Sequence, residues 1–78
     1  MINWIFQLVD GREVKSANVT ENEDKRIQEN ILDNQGFLFL KLDSANLYLN
    51  LNTVQLIVRQ VETVNEVETE TLVTNGLL

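Results

Sequence analysis

The sequence predicts an α+β fold: an antiparallel five-stranded sheet, or a partial barrel rolled from one, with one helix, in the order β-β-α-β-β-β. Three observations carry this prediction. Apolar residues recur with period two over residues 37–61, the pattern of strands that bury one face. Two strand-like runs flank Asp10-Gly11 near the start. Between these β regions lies Thr20-Glu21-Asn22-Glu23, which reads as a helix start.

In the first strand Ile2, Trp4, Phe6 and Leu8 share one face, and Asn3, Ile5, Gln7 and Val9 the other. Asp10-Gly11 is a strong hairpin signal. A three-residue loop of Asp10-Gly11-Arg12 matches Leu8 with Val14 and Phe6 with Ser16, so it is preferred to a two-residue loop that sets Leu8 against Glu13. The return strand, over 12–19, is mostly polar and belongs at a sheet edge, where Lys15 discourages pairing with another edge.

Thr20 caps the helix, with its hydroxyl accepting from the Glu23 backbone and the Glu23 carboxylate reaching back. Glu21 and Glu23 favour the positive end of the helix dipole, and Glu21 is four residues from Lys25. Ile27, Ile31 and Leu32 form a narrow apolar stripe. Asn34-Gln35-Gly36 ends the helix, and Gly36 can adopt the left-handed conformation there.

Three strands follow as a meander. A loop of Asp43-Ser44-Ala45-Asn46 pairs Leu42 with Leu47, Leu40 with Leu49, and Leu38 with Leu51. A two-residue loop at Asn52-Thr53 then pairs Leu51 with Val54, Leu49 with Leu56, and Leu47 with Val58. All nine aliphatic side chains fall on one face, and a one-residue slip would expose the set. The opposite face carries Phe37, Phe39, Tyr48 and Ile57. Either the helix or another strand pair covers this second apolar face, or it docks a partner. These four residues are the candidate protein-binding site. Trp4 and Tyr48 are the aromatic types favoured as interface anchors, although Trp4 also fits the core stripe of the first strand.

Seventy-eight residues make one small domain, here residues 1–61, with a modest core and no disulfide to brace it. Residues 62–78 read as an acidic, partly disordered tail, because Val61, Val64 and Val67 recur at helical spacing while 67–73 alternates at strand spacing. Glu62, Glu66, Glu68 and Glu70 hold −4 of the net −6, so the rest is close to charge balance. The six basic residues are scattered and form no patch for phosphates. No apolar run approaches the ~20 residues of a membrane span, and residues 1–9 lack the form of a signal peptide; a cytoplasmic protein is expected.

The chain has no His and no Cys, which removes the usual general base, the thiolate nucleophile and the soft metal ligands. Gly11, Gly36 and Gly76 are isolated and cannot form a phosphate-cradling loop. No catalytic residue, cofactor or metal is therefore expected.

The stretch LYLNLNTVQLIVRQ, residues 47–60, is an apolar strand, an Asn-bearing tight turn and a further strand. It resembles small uncharacterised proteins of Gram-positive bacteria and their phages, which implies a phage or mobile-element origin but no site residue. The count of one helix and five strands is similar to Sm-like and SH3-like small barrels, although the Sm-like plan begins with its helix. The favoured function is a small non-enzymatic protein-binding accessory or regulatory module. The alternative is a small barrel of Sm-like or SH3-like kind contacting nucleic acid. A homodimer formed through the second apolar face, with Tyr48 or Phe39 in its interface, is also expected, since the helical stripe is narrower than three strands.

Overall fold

The computed structural model describes residues 1–33, 36–42 and 45–73. Its elements are β1 (Ile2–Leu8), β2 (Glu13–Ser16), α1 (Glu21–Asp33), β3 (Phe37–Lys41), β4 (Asn46–Asn50), a 3₁₀ turn (Leu51–Thr53), β5 (Val54–Glu62) and β6 (Val67–Val73). Among the described residues the class is α+β, with one α-helix and antiparallel pairing throughout. The predicted single five-stranded sheet is corrected. Four strands form one sheet in the order β2-β1-β5-β6, while β3 and β4 form a separate hairpin. No helix among the described residues is long and apolar enough to cross a membrane.

The first hairpin keeps its predicted faces but slides by two residues. Phe6 pairs with Val14 and Trp4 with Ser16. The loop has three residues, starting one position earlier, at Val9, and Leu8 N–H donates to Arg12 C=O at 2.8 Å. Gly11 decides this: it takes φ 91° at the third loop position, the left-handed site of a type I turn with a following bulge. Asp10 Oδ1 accepts from the Arg12 N–H at 3.0 Å and fixes the turn.

The β3–β4 hairpin slides in the same way, with Leu38 opposite Leu49, Leu40 opposite Leu47, and Phe39 opposite Tyr48. A slip of two leaves every side chain on its face, so the Leu residues still point inward. Part of each predicted connection, Asn34-Gln35 and Asp43-Ser44, lies outside the described residues, as does 74–78 of the predicted tail.

The meander ends at β4. Asn52 and Thr53 do not turn β5 back onto β4; they form the 3₁₀ turn instead. Asn50 Oδ1 accepts from the Asn52 N–H at 3.0 Å, and the Thr53 hydroxyl donates to the Asn50 C=O at 2.7 Å. A tight two-residue hairpin needs positive φ, which a β-branched Thr resists. The chain therefore leaves the hairpin, and β5 inserts between β1 and β6.

One bulge then changes which residues of β5 face the core. Leu8 pairs with Val54 but Gln7 pairs with Leu56, so Gln55 is the extra residue. Its insertion breaks the alternation: Val54 and Ile57, three apart, are both buried. Leu56 and Val58, predicted with the inner Leu set, pair with Gln7 and Ile5 on the back of the sheet and are half-buried.

The core lies between the front of the four-stranded sheet and a cover made of α1 and the inner face of the hairpin. Trp4, Phe6, Leu8, Val54 and Ile57 meet Ile27, Leu38, Leu40, Leu49 and Leu51 there. Leu32 is 82% exposed and takes no part, a correction to the predicted stripe. Within the acidic segment, residues 67–73 form β6. That segment pairs with β5 from Glu62↔Val67 to Leu56↔Val73, across a turn in which Thr63 N–H donates to Glu66 C=O.

Candidate functional site

Two surfaces carry unusual side-chain arrangements. The first is the outer face of the β3–β4 hairpin. The alternation that aims Leu38, Leu40 and Leu49 inward aims Phe37, Phe39 and Tyr48 outward. Phe37 is 60% exposed and Tyr48 71% exposed. Phe39, half-buried, packs against the cross-strand Tyr48 ring with centroids 5.0 Å apart. The Arg26 guanidinium lies 5.6 Å over the other ring of this pair, that of Phe39, and donates to the Phe39 C=O. Glu23 pairs with Arg26 and holds it there, instead of reaching back to complete the predicted capping box. The Thr20 hydroxyl keeps its half of the cap, accepting from Glu23 N–H at 3.2 Å. A shallow recess of about 280 Å³ beside Phe39 is bordered by Thr20, Asn22, Arg26 and Lys41.

Of the four residues expected at the binding site, the structure thus gathers three. Ile57 is removed from it: the Gln55 bulge and the pairing with β1 place it in the core opposite Phe6, 2% exposed.

The second surface is a groove of about 270 Å³ between the C-terminal half of α1 and strands β5 and β6. It is lined by Ile31, Leu32, Ile57, Glu70 and, at its base, Trp4 and Arg59. Beneath it sits a polar cluster centred on Asp24. Arg59 forks onto the carboxylate, Nε to Oδ1 at 2.9 Å and Nη2 to Oδ2 at 2.8 Å. Trp4 Nε1 donates to Oδ1 at 2.8 Å and Gln28 Nε2 to Oδ2 at 2.9 Å. The guanidinium also lies 5.9 Å over the Trp4 ring and reaches Glu70 through Nη1 at 3.2 Å. The hydrogen bonds from Arg59 hold the Asp24 carboxyl below its ordinary range, against the opposing effect of burial, and Asp24 in turn raises Arg59.

Both carboxylate oxygens of Asp24 are therefore engaged, and the cluster ties α1 to the sheet. Sequence reasoning missed it. The available signal was positional: Asp24 precedes Ile27 and Ile31 by three and seven residues, so it lies on the stripe that packs inward. An acid on such a stripe requires a buried donor, and Trp4 and Arg59 supply it.

Among the described residues, no three Asp, Glu, His or Cys side chains gather as metal ligands. Comparison with protein-family models, curated proteins and solved structures finds no match.

Proposed function

We propose that this chain is a non-enzymatic protein-binding module and that the outer face of the β3–β4 hairpin is its contact surface. The observation that carries the reading is an aromatic cluster that is both exposed and pre-ordered. Phe37 and Tyr48 stand in solvent, while Phe39 is held between Tyr48 and Arg26. Large rigid aromatics bring contact area at low entropic cost, as interface anchors do. Nucleic-acid binding has less support, because three of the six basic residues are already paired: Arg12 with Asp10, Arg26 with Glu23, and Arg59 with Asp24.

The test compares the wild-type chain with a Phe37→Ser, Tyr48→Ser double variant. Proteins captured from the native host by the wild type are purified and titrated against both. A partner that binds the wild type and loses at least ~100-fold in affinity with the variant supports the reading. Equal affinity for both chains, or tight salt-sensitive binding of single-stranded RNA or duplex DNA in place of protein, overturns it. Sedimentation equilibrium on the isolated chain tests whether a second copy is the occupant. A concentration-dependent rise above 9.0 kDa that the double variant abolishes marks the homodimer.

A further inference from the structure

We propose that the free edge of β6 is a docking site for an extended segment of another protein, one that alternates basic residues with aliphatic or β-branched ones and adds to the sheet as a fifth strand. This surface is distinct from the hairpin face. Among the described residues no strand lies beyond β6, so one side of a seven-residue strand presents its backbone groups unpaired. The opposite edge, β2, is only four residues long and carries Lys15. Protective devices of that kind are missing from β6, which has no Lys, Arg or Pro.

The side chains of β6 specify what can pair there. On the front, Glu68 lies opposite Val61 and Glu70 opposite Arg59. On the back, Val67, Thr69 and Thr71 lie opposite Glu62, Gln60 and Val58. All five of these β6 residues are exposed. Arg59, the guanidinium facing this row, is already forked onto Asp24 and cannot neutralise both glutamates. Residues 62–73 carry four Glu and no base. A second copy of β6 would set Glu68 and Glu70 against their own kind across ~5 Å, which is unfavourable. A basic residue at those front positions is attracted instead, and β-branched residues match Val67, Thr69 and Thr71 on the back. The acidic row therefore opposes self-pairing and selects a basic strand.

The probe is a synthetic peptide, Lys-Val-Lys-Val-Lys-Thr-Lys. Its control has the same composition with the Lys residues in one block and the others in another. Titration into the isotope-labelled full chain, followed by amide shifts and hydrogen exchange, reads both affinity and place. The expected result is binding with new amide protection in β6, at least about tenfold weaker for the block peptide and at least about tenfold weaker for Glu68→Lys. Glu68 is exposed, and an unchanged thermal midpoint confirms that the variant is folded. Equal binding of the two peptides would reduce the effect to bulk charge and overturn the proposal. So would unchanged affinity in Glu68→Lys, protection that maps to the hairpin face, or no binding at low salt.

Discussion

Asp24 shows how much one side chain can hold together. It takes four hydrogen bonds from three residues on three elements: Trp4 of β1, Gln28 of its own helix and Arg59 of β5. Asp24→Ala leaves the Arg59 guanidinium and the Trp4 indole N–H without their acceptor, and a loss of about 3 kcal/mol in equilibrium unfolding is expected. Asp24→Asn keeps an acceptor for Trp4 but loses the charge, so its cost is smaller. The folded carboxyl titrates below its unfolded value, so its contribution is complete above the ordinary Asp value of about 4 and disappears as pH falls through the lower folded value. Denaturant midpoints measured from pH 6 downward should fall more steeply below about 4 for the wild type than for Asp24→Asn. Parallel pH profiles would remove Asp24 from this role. None of this was evident from composition, because the helix presents Glu21, Glu23 and Asp24 as one acidic first turn. Only the inward position of Asp24 separates a buried anchor from two ordinary dipole partners.

At the scale of elements, the sequence determined which residues of the β1–β2 and β3–β4 hairpins share a face and left their register open. Both hairpins moved two residues from their predicted pairing, and neither lost its inward set. The reason is physical: alternation has period two, so a slip of two costs no burial and only the turn decides it. Gly11, with φ 91°, decides the first. The change of face in β5 was invisible for a different reason. A bulge adds a residue without altering local composition, and Gln55 looks like any polar strand position. Deletion of Gln55 should then be far more damaging than Gln55→Ala. The deletion forces either Val54 or Ile57 out of the core at an expected cost above ~2 kcal/mol, whereas the substitution stays within about 0.5 kcal/mol. A deletion as mild as the substitution would show that β5 has no bulge. Leu49→Ala, in the inner face of β4, should cost ~2–5 kcal/mol by denaturant unfolding, since Leu49 is buried in either register.

For the whole molecule, the fold divides what looked like one meander between two bodies. β3 and β4 stay as a hairpin over the core, and β5 joins β1 and β6. The helix, the first hairpin and the inner Leu face were legible because each rests on local pattern. The partition was not, since it depends on a three-residue 3₁₀ turn and on a strand, β6, whose alternation conflicts with the helical spacing of Val61, Val64 and Val67 that leads into it. Its consequence is that the candidate binding residues are split. Ile57 is buried in the core, while Phe37 and Tyr48 are exposed on the surface proposed for a partner. Equilibrium denaturation of Ile57→Ala beside Phe37→Ser and Tyr48→Ser tests that division directly. A loss of ~2–5 kcal/mol is expected for Ile57→Ala and less than about 1 kcal/mol for each aromatic variant. Aromatic variants as costly as Ile57→Ala would mean that the hairpin's outer face is part of the core and that no such division exists.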